Sequence, residues 1–308
     1  MGTGASTQAG GAPPNEITAS VVASFESCAD NRLRQIMQSL VRHLHDFVVD
    51  VGLTEPEWAA AISTLTATGQ ITDETRQEFI LWSDTLGVSM LVDAIAHPQP
   101  AGATESTVLG PFYVPGSPLR EPGANIAEMN AGTPAWVTGR VLDLNGRPIY
   151  GAEIDVWQNG DNRLYAVQDA DAPDHHLRGR FRTDSDGQFA FAAVRPVPYP
   201  IPSDGPVGRM LSTTGRHPWR PAHIHMVVRA DGFATLVTHI FDADSEYLDR
   251  DTVFAVKPSL IRRFEQRSEN DPRRPDRLEG PWVELALDLV LAQAGPPGQE
   301  VIDHGRTH

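Results

Sequence analysis

The chain has 308 residues with 25 Lys+Arg against 40 Asp+Glu, a formal net charge of −15, and 40% hydrophobic against 21% charged residues. That balance is globular rather than disordered, fits one large domain or two smaller ones, and lacks the basic stripe that nucleic acid or an anionic membrane surface needs. A single cysteine, Cys28, excludes an internal disulfide, a cysteine-based zinc site and an iron–sulfur cluster, so any metal must be held by nitrogen and oxygen.

The chain opens on a Gly/Ala/Ser/Thr/Pro-rich stretch with neither a basic segment nor an apolar one, which predicts a disordered tail over 1–15 and no signal peptide. No apolar run reaches the ~18 residues that span a bilayer, so cytoplasmic residence is expected. From Asn15 to about His97 the pattern is helical. Ile36, Leu40, Leu44, Phe47, Val48 and Val51 recur at spacings of three and four, the stripe of an amphipathic helix. Thr54 before Glu55-Pro56-Glu57 predicts the next helix start, with Trp58, Ile62 and Leu65 on its apolar side. Thr72-Asp73-Glu74 predicts a third helix running through Ile80, Leu81, Leu86, Leu91 and Val92, and Pro98 and Pro100 end the region.

Beyond Gly102 proline and glycine become frequent and period two appears. Residues 136–141 lead into Asn145-Gly146, a hairpin signal, and then 152–157; residues 180–183 lead through Asp184-Ser185-Asp186-Gly187 to Phe189 and Phe191. Further strands are expected at 223–228 and 237–241, and at Val283, Leu285, Leu287, Leu289 and Leu291, which alternate without a break. The expected fold is an all-β core, an antiparallel β-sandwich over 101–296, after a helical region over 16–100, with a C-terminal tail over 297–308.

Motifs for dinucleotides, P-loops, α/β-hydrolases, zincins and CxxC chemistry are absent. What stands out is Arg220-Pro221-Ala222-His223-Ile224-His225. Alternate strand residues share a face, so His223 and His225 can aim two imidazoles at one point, although two partly exposed strand histidines would have the same spacing. Tyr165 and Tyr199 add two phenols, the latter inside the Pro-rich 195–202 segment, where it could equally be an aromatic packed on prolines. Phenolates suit a ferric ion and imidazole suits iron, zinc and copper. A free phenol has a pKa of about 10, so it ionises at neutral pH only beside a strong Lewis acid.

Together, Thr107-Val108-Leu109-Gly110-Pro111-Phe112-Tyr113, Asp155-Val156-Trp157-Gln158, the Tyr199 segment and 220–225 make the chain resemble the intradiol ring-cleaving dioxygenases over nearly all of residues 20–292. These are non-haem ferric enzymes that include catechol, chlorocatechol and hydroxyquinol 1,2-dioxygenases. The resemblance implies one Fe(III) per chain on Tyr165, Tyr199, His223 and His225 with water or hydroxide as fifth ligand. It also implies a homodimer through the N-terminal helices and a phospholipid held in an apolar tunnel there. His239, fourteen residues after His225 where catechol enzymes typically carry Gln, favours the hydroxyquinol branch, as do 246–249 with Val253-Phe254 and 81–84 with 104–111. Catechol or chlorocatechol is the alternative.

By the same resemblance Leu81, Asp84, Val108, Leu109, Gly110, Pro111, Ile201, Pro202 and Val253 would line the substrate pocket. Asp84 could accept a hydrogen bond from the third hydroxyl, or be a helix-surface carboxylate. Tyr199 would be the ligand that leaves and takes a substrate proton. Arg220 would stabilise the ketonised substrate unless it is a surface or ion-paired arginine, and Pro221 would let it turn inward. His239 would hydrogen-bond beside the metal. The substrates would be a small aromatic diol or triol and O2, and the product 3-hydroxy-cis,cis-muconate or its tautomer maleylacetate. Two other classes compete: a non-catalytic, transthyretin-like binding module, and a zinc hydrolase, which would need a third histidine or carboxylate.

Overall fold

The computed structural model describes residues 13–73, 76–129 and 132–295. The tails expected over 1–15 and 297–308 lie almost wholly outside those residues, as does Glu74 of the expected third helix start. Two compact units divide the chain, Met1–Thr66 and Ala67–His308. Among the described residues no single helix is long and apolar enough to cross a membrane.

The first unit holds α1 (Pro14–Ala23), α2 (Asn31–Val51) and most of α3 (Glu55–Ile71). The Asp30 carboxylate accepts from the amides of Arg32 and Leu33 to start α2, and Gly52, left-handed at φ 59°, stops it. Thr54 and Glu57 form the expected start of α3, the threonine amide and hydroxyl both donating to Glu57 Oε2 at 2.9 and 2.7 Å. The predicted stripe of α2 is on one face, and Ile36, Leu40, Leu44 and Phe47 along it are all exposed.

The single helix expected over 72–92 is two, α4 (Glu78–Thr85) and α5 (Val88–Ala96), bent by 76° at Leu86-Gly87. Gly87 takes φ 74°, a left-handed turn that ends one helix and begins the next. The apolar spacing continued through the break and hid it.

The β core contains β1 (Pro134–Asp143), β2 (Glu153–Trp157), β3 (Arg178–Arg182) and β4 (Gln188–Val194). The ribbon strand β5 (Tyr199–Pro200), helix α6 (Pro206–Thr213) and ribbon strand β6 (Trp219–Arg220) follow, and the core resumes with β7 (His223–Arg229) and β8 (Leu236–Asp242). The chain ends on β9 (Ile261–Arg262), β10 (Glu265–Arg267) and β11 (Trp282–Leu291). Two sheets form, β10-β11-β1-β4 and β3-β2-β7-β8-β9, with β5-β6 as a separate ribbon. Most neighbours are antiparallel, as expected for a sandwich, but β1 with β11 and β8 with β9 run parallel. A parallel pair needs a long connection, and the chain between β1 and β11 provides one.

The turn at Asn145-Gly146 forms, with the Gly146 amide donating to Asp143 at 3.0 Å. It does not make a β1–β2 hairpin: the two strands enter opposite sheets, and so do β3 and β4 around Asp184–Gly187. Both strands of each pair bury a face against the other sheet, so the chain crosses the sandwich instead of doubling back. Gly139 in mid-β1 admits the Phe189 ring, whose Cζ would lie 2.7 Å from an added Cβ.

Alternation decides where the site lies. Ile224, Met226 and Val228 of β7, Ile154 and Val156 of β2, and Leu236 and Ile240 of β8 enter the core between the sheets with Phe181, Phe191 and Leu285. The alternate residues Trp157, Val227 and Phe241 belong to a second apolar cluster with Leu81 of α4, Val207 and Leu211 of α6, and Tyr165 and Tyr199. His223, His225 and His239 share that outer face of the five-stranded sheet, under α4, α6 and their loops.

Candidate metal centre and active site

Tyr165 ends the loop after β2, ahead of the short 3-10 turn Ala166–Gln168; its amide donates to Gln168 Oε1 at 3.1 Å. The loop passes through Arg163 at φ 68°, a left-handed backbone that a side-chain-bearing residue adopts at a cost. Tyr199 comes from the β5-β6 ribbon, whose register sets it directly opposite Arg220. Pro221 breaks that ribbon from β7, so Arg220 turns inward beside the strand carrying the histidines, as expected. In β7, His225 faces Trp157 of β2 and His239 of β8, and His223 faces Phe241.

These elements bring four expected donors together in the interior. Tyr165 Oη lies 3.0 Å from His225 Nε2 and 3.4 Å from His223 Nε2, and the two Nε2 atoms are 3.1 Å apart. Tyr199 packs edge-on to Tyr165 with ring centres 5.3 Å apart, and 5.6 Å from His223. All four side chains are buried. His223 Nδ1 lies 2.7 Å from the Pro221 carbonyl, which only accepts. Nδ1 therefore carries the hydrogen, and Nε2 presents its lone pair to the cluster.

His239 is the third histidine of the cluster, with one ring nitrogen of each of the three within 4.8 Å of the others. Thr107 Oγ1 holds its Nδ1 at 2.7 Å, while its Nε2, like His225 Nδ1, is buried without a hydrogen-bond partner among the described residues. Trp157 stacks on His225 at 4.6 Å and 11°, and Phe112 stacks on Tyr165 at 4.6 Å.

Burial pushes the Tyr165 phenol well above its ordinary range, helped by the neighbouring Tyr199 oxygen. Burial also holds His223, His225 and His239 well below the usual imidazole range, with Arg220 beside His223 and neighbouring imidazoles beside the other two adding to it. The imidazoles are thus neutral donors, and the phenol ionises only beside a strong cation. Two phenol oxygens and two neutral imidazoles with no sulfur form a hard donor set, so the residues present fit a ferric ion.

Arg220 is 3% exposed. Its Nη1 lies 3.3 Å from both Tyr199 Oη and His223 Nε2, and its Nε and Nη2 donate to Asp251 at 3.2 and 3.4 Å. Burial opposes its charge, but Asp251 and Tyr199 overcome that and hold its pKa above the ordinary value.

A cavity of about 640 Å³ borders this layer, and Leu81, Pro111, Ile201 and Pro202 of the expected pocket residues line it, together with Phe112, Leu164 and Arg163. Asp84, Val108, Leu109, Gly110 and Val253 do not. Gly110 lies against the metal centre, where an added Cβ would sit 3.2 Å from His225 Cε1. Val253 is in the apolar cluster of the two tyrosines, with Leu109 packed on it. Asp84 is 4% exposed, and burial raises its pKa while the Ser89 hydroxyl lowers it. Sequence reasoning left Trp157, Thr107, Phe112 and Asp251 without a role. Trp157, Thr107 and Phe112 stand inside the motifs above, but Trp157 meets His225 through strand register and the other two reach the site from a loop, and Asp251 carries no local signal.

The Dioxygenase family profile matches residues 108–292, and the profile described as catechol dioxygenase N terminus matches 30–104. The chain is 53% identical over 277 residues to a hydroxyquinol 1,2-dioxygenase of Rhizobium sp. (strain MTP-10005), covering 89% of this chain and 93% of that one. Among solved structures it is similar to a hydroxyquinol 1,2-dioxygenase of Pseudomonas putida DLL-E4, at 52% identity and a TM-score of 0.86 over 91% of this chain and 99% of that one. Catechol 1,2-dioxygenase of Pseudomonas arvilla C-1 superposes with a TM-score of 0.83 at 27% identity, over 94% and 96% of the two chains. The non-catalytic module is thereby set aside: the chain belongs to the intradiol ring-cleaving dioxygenases, a non-haem iron family acting on aromatic substrates with O2.

Proposed function

We propose that the protein cleaves hydroxyquinol (benzene-1,2,4-triol) with O2 to 3-hydroxy-cis,cis-muconate, which tautomerises to maleylacetate. Both oxygen atoms enter the product, one on each hydroxyl-bearing carbon of the broken bond. One Fe(III) per chain, held by Tyr165, Tyr199, His223 and His225, is part of the reading. Its support is the buried convergence of two phenols and two neutral imidazoles on one sheet face. The higher identity to hydroxyquinol 1,2-dioxygenases, 47–53% against 39% for a catechol 1,2-dioxygenase of Candida albicans, supports the substrate.

When bound, the ferric ion would supply Lewis-acid activation of the diol. The remaining work falls to the side chains. Tyr199, beside the Arg220 guanidinium, would be one of the residues that hold the ion and would take a substrate proton on its Oη. Arg220 Nη1 would face the charge that develops on the ring oxygen as it ketonises, in a water-excluded place where a fixed cation acts strongly. His239, steadied by Thr107, would offer Nε2 to the reacting oxygens. Leu81, Pro111, Ile201 and Pro202 would hold the ring, with Val108, Leu109, Gly110 and Val253 closing the pocket behind them. Asp84 would recognise the third hydroxyl, which catechol lacks.

Residues 16–100 are read as the helical part through which two copies pair, and 101–296 as the catalytic part. The exposed apolar stripe of α2 supports a homodimer with a bound phospholipid, and a two-chain mass in solution with extractable phospholipid would bear on both.

A metal analysis with a visible spectrum and oxygen uptake tests the whole. Purified protein should be wine-red from phenolate-to-iron charge transfer, with about one iron per chain; Tyr199→Phe should shift or weaken the band, and His223→Ala should lose iron. Uptake should be much faster with hydroxyquinol than with catechol. Colourless protein holding zinc would instead favour a centre on the three histidines, a reading supported by their ring nitrogens within 4.8 Å of one another but leaving both phenols unused. Faster catechol turnover would move the substrate to the catechol branch.

A further inference from the structure

The Arg220–Asp251 pair lies wholly inside the protein, both residues 5% exposed or less. Burying two charges costs several kcal/mol of hydration per ion by order of magnitude, so such a pair is a poor device for stability alone. Its geometry points elsewhere. The carboxylate takes the Nε–Nη2 edge of the guanidinium, Nε to Oδ1 at 3.2 Å and Nη2 to Oδ2 at 3.4 Å. A guanidinium is a rigid planar fork, so fixing that edge fixes the direction of the remaining nitrogen. That nitrogen, Nη1, is the one lying 3.3 Å from Tyr199 Oη and from His223 Nε2.

Asp251 is itself held. The amides of Val253 and Ala255 donate to its Oδ1 and Oδ2 at 3.3 and 3.1 Å, and the Phe254 amide donates to its carbonyl at 3.0 Å. The turn is closed by Phe254 at φ 59°, a conformation that ties this segment to one path. Val253 of the same turn packs in the apolar cluster of Tyr165 and Tyr199.

We propose that Asp251 is a positioning residue for the ring-cleavage reaction: clamped by the 253–255 backbone, it aims Arg220 Nη1 at Tyr199 and the metal-facing edge of His223, and couples that cation to the Val253 wall. The inference rests on the catalytic reading of Arg220 given above. It adds a residue that acts only through another.

Asp251→Asn keeps the size and can still accept one hydrogen bond, but loses the charge and the two-pronged grip. Displacing a catalytic group by a fraction of an ångström to an ångström costs up to about 100-fold. The variant should therefore keep full iron and lose about 10- to 100-fold in kcat, with KM within about threefold. A turn-holding role alone would give similar numbers, so the deciding measurement is the double-mutant cycle with Arg220→Ala. Positioning predicts that Asp251→Asn costs no more than about twofold in the Arg220→Ala background, because nothing is left to position. In metal-free protein labelled with 15N-arginine, the Arg220 Nε–H should exchange slowly in the wild type and fast in Asp251→Asn. Unchanged kcat in Asp251→Asn, or losses that multiply in the double variant, overturns the proposal while leaving the role of Arg220 standing. Wild-type kcat in iron-loaded Arg220→Ala would instead overturn that role, and the inference with it. Should Asp251→Asn not fold, Asp251→Glu keeps the charge and displaces it. The same kcat loss with full iron then supports positioning, and wild-type kcat refutes it.

Discussion

Gly110 links backbone conformation to the metal centre, and Gly116 provides its control. Both have left-handed φ, 79° and 87°, but an added Cβ at 116 meets nothing within 4 Å, whereas at 110 it comes 3.2 Å from His225 Cε1. For an L-residue the left-handed backbone costs roughly 1–2 kcal/mol. In a unit of this size about 1 kcal/mol moves the melting point by roughly 2–4 °C. Gly116→Ala should therefore lower the melting temperature of metal-free protein by about 2–8 °C and leave iron binding alone. Gly110→Ala carries the same backbone cost plus a contact some tenths of an ångström inside the ~3.5–4.0 Å at which carbon atoms rest. The His225 ring is stacked on Trp157 at 4.6 Å, so it yields by rotating or sliding, and Nε2 moves with it. Perturbing what orients a metal ligand typically costs about 10- to 100-fold in affinity. Iron per chain after dialysis against graded chelators, read beside the melts, should separate the variants by that factor. Equal iron retention in Gly110→Ala and Gly116→Ala would refute the contact argument, and an unchanged melt in both would refute the backbone argument.

Asp84 and Glu78 provide two further tests. Burial raises the Asp84 pKa, so the folded state holds its proton more tightly than the unfolded chain. The stability penalty is absent below the ordinary carboxylate range and grows as pH rises through the raised pKa, so Asp84→Asn should raise the melting temperature at pH 7–8 and not at pH 3, while narrowing the preference for hydroxyquinol over catechol. A stabilisation equal at both pH values would remove the charge as its cause. Glu78, fully buried, accepts from the Val207 amide at 2.9 Å and from Arg76 Nη2 at 3.1 Å, joining α4 to the start of α6. Glu78→Ala should cost about 2–4 kcal/mol in denaturant melts, since it orphans a buried amide and strips a partner from Arg76; a cost below about 1 kcal/mol would show that the junction holds without the carboxylate.

The residues of the centre differ in how readable they were, and the difference follows the regularity of the backbone that carries them. His223 and His225 lie on a seven-residue strand, where a spacing of two fixes a shared face whatever the partners are. His239 is on the next strand, and its facing of His225 is a matter of register, which the alternation of Leu236, Thr238 and Ile240 constrains to one face. Tyr165 and Tyr199 have no such rule: one follows a loop bent at Arg163, the other a two-residue ribbon among prolines, and the donor chemistry of their phenols together with the family motif marked them. The longer strands β1 to β4, β7, β8 and β11 were legible while the short β5, β6, β9 and β10 and the pairing were not, because a turn such as Asn145-Gly146 specifies a reversal of direction but not the sheet that the next strand joins.

Asp251 is the extreme case. Its partner is 31 positions earlier in the chain, its own carboxylate is occupied by amides two and four residues ahead, and no periodicity connects these contacts. A buried carboxylate of this kind reads in sequence as one more surface acid among 40, since burial is set by what folds over it. The regular sheet can present two imidazoles unaided, but a cation aimed between a phenol and an imidazole needs a counter-charge from an irregular segment. The least predictable segment of the site is thus the one that orients its most strongly charged group.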